Sequence, residues 1–320
     1  MSMIKKRLFS LFQSRPSDFI SGEEAARQLG CSRAAIWKHV KELQEEGFDI
    51  EAVNRKGYRL KHVPNALSEN TLLAGLETDT FGQHLYVYQA LPSTQTKLHE
   101  LAQQGAKEGT AVICDQQTNG RGRLQRSWYG GEGGNIAVSM LLRPNIPLQQ
   151  ATQLTLVMAV ACAEAIEEVA GVYCQIKWPN DLLLNGKKLA GILTETVAEP
   201  DQVVAAIVGI GINVNQSCKE WPLELSEKAT SLFCEEGKRF DRNALLQQLF
   251  LEVERLYKLY KKEGFTVIRL LWEARAETIG KYVQLEGLQG YVTGLSSDGA
   301  LVIKDECGQS HSVYITDIGE

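Results

Sequence analysis

Lys177-Trp178-Pro179 limits how this chain can fold more than any other tripeptide in it. Residues 175–178 have the composition of a short buried strand. Pro179 removes a ladder donor and holds the residue before it extended, so pairing must end there. The lysine ammonium is then fixed at a strand end, where sheets flanked by helices build their sites. Asn180 and Asp181 follow, and they read equally as turn formers or as groups that assist ATP and magnesium.

A second basic segment stands upstream: Gly120-Arg121-Gly122-Arg123, then Arg126 and Trp128. The glycines let a ligand approach the backbone closely, and the arginines present forked donors to phosphate or carboxylate. Gly130, Gly131, Gly133 and Gly134 add a further glycine-rich stretch. The pattern predicts a loop that orders over a ligand, although by itself it also describes a solvated surface loop. Lys188-Leu189-Ala190-Gly191-Ile192-Leu193 places another lysine at a strand start, as a phosphate contact or a solvated edge residue. Ser93-Thr94-Gln95 follows a predicted strand, where it can cap the next helix and offer small polar groups to a ring. Gly209-Ile210-Gly211-Ile212-Asn213 lacks the third glycine and the helix of a dinucleotide fingerprint. It reads as a buried strand that allows close backbone approach, with Asn213 toward a nucleotide. No nucleophile–base pattern is evident, and the five histidines show no metal-ligand spacing. The expected chemistry is electrostatic stabilisation by cations.

The first sixty residues differ in character from the rest. Residues 1–61 carry 12 Lys/Arg against 8 Asp/Glu, while the whole chain has a net charge of −5. Ile4, Leu8 and Leu11 or Phe12 share a helical face. Ser21 and Glu24 suit a capping box, Gly30 a left-handed stop, and Ser32 the cap of a third helix. That helix buries Ile36, Val40 and Leu43 and turns Ala34, Lys38, Lys41 and Glu45 outward. A hairpin follows, with Asn54-Arg55-Lys56-Gly57 at its turn. This order predicts a winged helix-turn-helix that binds DNA through Arg33, Ala34, Trp37, Lys38 and Lys41, with Arg55, Lys56 and Arg59 on the wing. A helical domain for protein contact is the plainer alternative.

Pro64 and Asn65 mark a linker. Beyond it the pattern predicts strands over 85–90, 110–115, 136–142, 175–178, 188–196 and 203–214. Helices are predicted over 96–104, 154–169 and 242–262, with the strands of 188–214 forming an antiparallel hairpin. Short strands over 282–285, 291–295, 300–304 and 312–315 read as a small barrel. The fold class is α+β, in three domains: 1–63, 64–273 and 274–320. A chain of 320 residues accommodates them. No apolar stretch reaches the roughly 20 residues of a membrane span, and no signal peptide is evident, so the cytoplasm is expected. The seven cysteines are odd in number and widely spaced, which predicts reduced thiols and neither disulfides nor zinc.

These motifs, in this order, resemble those of the biotin–protein ligases, specifically the bifunctional kind that also represses biotin-synthesis genes. The resemblance covers nearly the whole chain. It implies a winged helix, a central mixed sheet related to class II aminoacyl-tRNA synthetases, and an SH3-like C-terminal domain. It implies biotin contacts by Ser93, Thr94, Gln95 and Gln117, and a loop of Arg121, Gly122 and Arg123 that closes over biotin and its adenylate. Lys177 matches the lysine that bridges the biotin carboxylate and the α-phosphate, and Asn180, Lys188 and Asn213 are expected around ATP. Magnesium is implied on the ATP phosphates with no metal site on the protein. The implied partners are the biotin carboxyl carrier protein of acetyl-CoA carboxylase, operator DNA, and a second copy of the chain once biotinyl-5′-AMP is bound. Pro92-Ser93-Thr94-Gln95 stands where the family often has Asp-Ser-Thr-Asn, and Gln125 where its loop often has glycine. The competing readings are a lipoate–protein ligase and a ligand-sensing repressor without catalysis.

Overall fold

The computed structural model describes residues 3–15, 18–45, 47–62, 67–131, 133–285 and 287–314. They group into two compact units, Met1–Glu77 and Thr78–Glu320. The boundary expected at 63/64, with Pro64 and Asn65, lies outside the described residues, as does Ile315.

The first unit runs α1 (Met3–Gln13), α2 (Gly22–Leu29), α3 (Arg33–Glu45), β1 (Asp49–Val53), β2 (Gly57–His62) and α4 (Glu69–Ala74). The caps follow the sequence. Ser21 Oγ accepts from Glu24 N at 3.0 Å, Gly30 closes α2 at φ 67°, and Ser32 Oγ accepts from Ala35 N at 3.2 Å. The capping box is only half made, because the Glu24 carboxylate turns to Arg15 Nη1 at 2.8 Å. Ile36, Val40 and Leu43 enter a core with Leu8, Phe9, Phe12 and Phe48. Arg33, Ala34, Trp37, Lys38 and Lys41 are exposed on the opposite face of α3.

β1 and β2 pair antiparallel, and their turn exposes Arg55 and Lys56. Arg59 departs from the expected wing role. Its guanidinium donates to Glu51 Oε2 at 2.6 Å across the hairpin and lies 4.6 Å from the Phe19 ring centre. Those contacts occupy its charge on the protein.

The second unit contains β3 (Leu85–Leu91), α5 (Thr94–Gln103), β4 (Ala111–Gln117), β5 (Ile136–Leu142), β6 (Ile146–Pro147), α6 (Ala151–Ala170), β7 (Gln175–Lys177), β8 (Asp181–Leu184), β9 (Lys187–Glu199) and β10 (Gln202–Ile212). There follow α7 (Leu223–Ser226), α8 (Leu232–Glu236), α9 (Arg242–Glu263), α10 (Phe265–Glu273) and β11 to β14 (Tyr282–Leu285, Leu288–Leu295, Leu301–Lys304 and Ser310–Val313). The large sheet has the order β3-β4-β5-β10-β9-β8-β7, with β6 also on β10. Only β3 and β4 are parallel among its described pairs, and α5 makes their crossover.

The expected hairpin of β9 and β10 is present and antiparallel. Alternation along β10 sends Ala205 and Ile207 to the face covered by α5, with Leu98, Val112 and Leu141. On the other face Thr155 of α6 hydrogen-bonds Thr194 of β9 at 2.8 Å. Most residues of α6 are buried, because the helix lies between the sheet and α9. No helix among the described residues is long and apolar enough to cross a membrane.

Three features were not anticipated. β8 arises because Trp178-Pro179-Asn180 reverses the chain, so Lys177 pairs with Asp181. α10 follows α9 after Gly264. Cys218 and Cys234 are joined in a disulfide, which corrects the expectation of reduced thiols throughout. Ser231 Oγ caps α8 at Cys234 N and donates to Gln216 O at 2.6 Å, bringing the two Cα atoms to 5.5 Å. A separation of 16 residues carries no sequence signature of such a pairing. β11 to β14 form a four-stranded antiparallel sheet, and Gly299 at φ 91° lies in the turn between β12 and β13.

Glu254 of α9 fastens the chain leading into β3. Its carboxylate accepts from the backbone N–H groups of Asp79, Thr80 and Phe81 at 3.0, 2.8 and 3.0 Å. Burial alone would raise this carboxyl, but hydrogen bonds from Lys258 and those three N–H groups outweigh it and hold it below the usual range. A depressed folded value stabilises the protein above the ordinary carboxylate range, and this contribution is lost as pH falls through the folded value. Glu254→Gln is expected to cost about 1.5–3 kcal/mol near neutral pH, the scale of hydrogen bonds to a charged group. The gap from wild type should shrink in acid, as read from urea melts across the pH range.

Candidate active site

The site is built on a face of the β9–β10 hairpin that loses its side chains. Ala205, Ile207, Gly209 and Gly211 point the same way along β10, and Gly191, Leu193 and Glu195 stand opposite 211, 209 and 207 on β9. The strand thus passes from a packed floor under α5 to a bare one. A Cβ at Gly209 would sit 3.0 Å from Gln95 Oε1, and one at Gly211 would sit 2.5 Å from the Trp128 ring. Both positions need glycine because something rests directly on the backbone.

A cavity of about 160 Å³ opens above this floor. Its wall includes Ser93, Thr94, Gln95, Gln117, Arg121, Gly122, Arg123, Asn180 and Lys188, all anticipated from sequence. Ser93, Thr94 and Gln95 are buried at the start of α5. Ser93 is the N-cap by position but makes no side-chain cap bond. Gln117 Oε1 accepts from Thr94 N at 2.8 Å and from Thr94 Oγ1 at 3.1 Å. Ser139 Oγ donates to Thr94 Oγ1 at 2.8 Å. This chain of bonds fixes the end of the Gln117 amide that faces α5.

The arginine loop is a closed hairpin. Trp128 N donates to Gly120 O at 2.9 Å, and Gly122 N donates to Arg126 O at 2.7 Å. At its tip Leu124 adopts φ 52° and is 68% exposed, while the Trp128 indole returns to lie on Gly191 and Gly211. Arg121 Nη2 is 3.6 Å from Glu195 Oε1. Arg123 Nη1 donates to Asn180 Oδ1 at 3.2 Å, and Asn180 Nδ2 donates to Ile192 O at 2.8 Å. Both arginines are thus held at the cavity rim.

Two expected site residues fall elsewhere. Lys177 is not among the described residues that line the cavity, and neither is Asn213. The turn at 178–180 is the reason for the first. Because β8 pairs back on β7, the end of β7 is the outer margin of the sheet, and Trp178, not Lys177, enters the core with 1% exposure. The ammonium in the site is that of Lys188, 2.7 Å from Asp181 Oδ1 and 5.6 Å from the Trp128 ring centre. The backbone N–H of Asn213 donates to Leu189 O at 2.9 Å, and its side chain is buried. Trp128 and Asp181 also line the cavity. Trp128 was visible as an aromatic after the arginines, but nothing in the sequence placed it on the glycine row. No group of three His, Cys, Asp or Glu residues able to hold a metal occurs among the described residues.

Residues 87–213 match the Biotin/lipoate A/B protein ligase family, and residues 5–59 match an HTH domain. The chain is 47% identical over 321 residues to the Bifunctional ligase/repressor BirA of Bacillus subtilis, covering 99% of this chain and 98% of that one. The chain belongs to the biotin ligase/repressor family. The Bifunctional ligase/repressor BirA of Escherichia coli is 31% identical over 90% of this chain and 89% of its own length. Among solved structures, the biotin protein ligase of Aquifex aeolicus in complex with biotin and ATP aligns with TM-score 0.63 and 34% identity, over 72% of this chain and 95% of that one. The family's core thus spans the cavity, its arginine loop and the β9–β10 hairpin.

Gly211→Ala is expected to lift the Trp128 indole from its seat, since the new methyl would lie 2.5 Å from the ring. Tryptophan emission should shift to the red. The shift should vanish when the same substitution is made in a Trp128→Phe background.

Proposed function

We propose that the second unit joins biotin to ATP in this cavity and passes biotin to a lysine of the biotin carboxyl carrier protein of acetyl-CoA carboxylase. The observation that carries the reading is the convergence of Lys188, Arg121 and Arg123 on one cavity that is also lined by the buried polar row Ser93-Thr94-Gln95 and by Gln117. In the first step the biotin carboxylate attacks the α-phosphorus of ATP, giving biotinyl-5′-AMP and pyrophosphate. Two anions must approach, and the ammonium of Lys188 with the two guanidinium groups lowers their repulsion. Magnesium enters with the nucleotide and screens its phosphates. In the second step a carrier lysine amine attacks the mixed anhydride, forms the amide and releases AMP. The loop 120–128 shields the anhydride from water between the steps.

The first unit is the DNA reader. Arg33, Ala34, Trp37, Lys38 and Lys41 form one exposed face of α3 for the major groove, and Arg55 and Lys56 meet phosphates from the wing. The adenylate favours a dimer, which sets two such units on two half-sites of the operator of biotin-synthesis genes.

Pyrophosphate release from ATP tests the reading directly. It should occur with biotin, and not with lipoate or with neither acid. Lys188→Ala should reduce it by at least about 10²-fold, the cost of one charge-stabilising donor, while Lys177→Ala stays near wild type. The reverse order would return the role to Lys177. The double variant Lys38→Ala, Lys41→Ala should leave pyrophosphate release intact and weaken operator binding. The slope of log affinity against log salt should fall by about 1 for each lost phosphate contact, as read by electrophoretic shift.

A further inference from the structure

Glu195 lies in the middle of β9, on the face shared with Gly191 and Leu193, but it does not line the cavity. Its Oε2 accepts from Gln95 Nε2 at 3.1 Å and lies 2.9 Å from His99 Nε2. Its Oε1 is 3.6 Å from Arg121 Nη2, which also approaches Thr96 Oγ1 at 3.5 Å. One carboxylate therefore reaches both the buried helix start and the arginine loop.

The effect on Gln95 is specific. Its Nε2 faces three acceptors: Glu195 Oε2, Leu193 O at 3.4 Å and Ile207 O at 3.3 Å. Only an NH₂ group satisfies that surrounding, so the amide cannot turn over. Its Oε1 is consequently presented over Gly209, buried and with no protein partner. Gln95 lines the cavity and is 3% exposed. On Arg121, Glu195 engages the tip of the guanidinium, and the buried Nε has no partner. A buried acceptor and a buried donor are thus left for a ligand, and such groups are costly to leave unmade.

We infer that Glu195 is a positioning residue for the ligase reaction. It fixes the orientation of the Gln95 amide, so that an acceptor faces the bound acid, and it tethers Arg121 and with it the loop. It acts through those two residues and touches neither substrate. The inference rests on the biotin and ATP reading of the cavity. It adds one demand: the bound acid must present an N–H to Gln95, and a ring urea does so.

The test uses full-length protein carrying Glu195→Ala or Glu195→Gln. Pyrophosphate release gives KM for biotin and kcat at saturating ATP, dissociation of labelled biotinyl-5′-AMP gives retention, and thermal melting monitors the fold. Glu195→Ala should raise KM for biotin by about 10-fold or more, with a smaller change in kcat, and should speed adenylate release by a similar factor. Glu195→Gln should restore most of the KM, because its carbonyl still accepts from Gln95 Nε2. It should not restore retention, because it offers no charge to Arg121. A purely structural role would not separate these two readouts. Unchanged KM and retention in Glu195→Ala would overturn the inference, as would a Glu195→Gln variant that binds biotin as poorly as the alanine. If the alanine variant does not fold, the glutamine variant decides alone: normal KM with fast release supports the role, and wild-type behaviour in both refutes it. Wild-type protein without biotin-dependent pyrophosphate release would instead refute the reading of the cavity.

Discussion

Everything in the site depends on how one antiparallel pairing is filled. β9 and β10 run side by side over ten residue pairs, and on one face their side chains shrink from Ile207 to Gly209 and Gly211, with Gly191 opposite. At the large end the face is ordinary core, covered by Leu98 and its neighbours on α5. At the small end the backbone itself is the surface, and a ring can lie flat on it. The strand order supplies the rest. β4 ends at Gln117, α5 begins at Thr94, and the arginine loop starts three residues after β4, so one short region delivers the polar row and the cations to the same bare floor.

The charge arrangement follows from that geometry. Lysine and arginine side chains are long, and a cluster of them is stable only where each has an anionic or amide partner. Here Lys188 has Asp181, Arg121 has Glu195, and Arg123 has Asn180. Each partner stands at the rim or on an adjoining strand, so each cation is held near the cavity without being withdrawn from it. The exposed basic residues of α3 follow a different logic. They face solvent on a helix whose other side is fixed by Ile36, Val40 and Leu43, an arrangement suited to a long polyanion rather than an enclosed one.

Much of this was legible in the sequence because it rests on local rules. Ser21, Gly30 and Ser32 act where cap chemistry puts them. The strand over 136–142 is apolar but for Ser139, and α6 stops at Gly171, which is left-handed at φ 73°. The site was legible as a set of residues, of which two, Lys177 and Asn213, do not line the cavity. Lys177 ends one apolar strand and Lys188 stands at the start of another, and no local rule says which of the two ends meets the cavity. The distinction lies in β8, whose four residues hide behind a turn that reads as the end of a strand rather than the middle of a hairpin. Glu195 escaped for a related reason: an acid between Thr194 and Thr196 reads as a solvent-facing position until the pairing with Ile207 shows which face it occupies. The disulfide was beyond local reasoning altogether, since it joins a loop to a helix start across sixteen residues.

The position of Trp128 sets a further condition on how tightly this cavity can hold anything. The indole rests on Gly191 and Gly211, and what remains is about 160 Å³, below the roughly 300 Å³ at which small-molecule sites begin. Under the proposed reaction, a nucleotide and the indole would contend for the same floor. On that reading the affinity for the nucleotide would be a difference between two stacking energies, its own on the floor and that of the tryptophan it would move. A substitution that seats the indole better should weaken nucleotide binding without altering any atom that the nucleotide touches, so residues outside the cavity can tune affinity as effectively as those that line it.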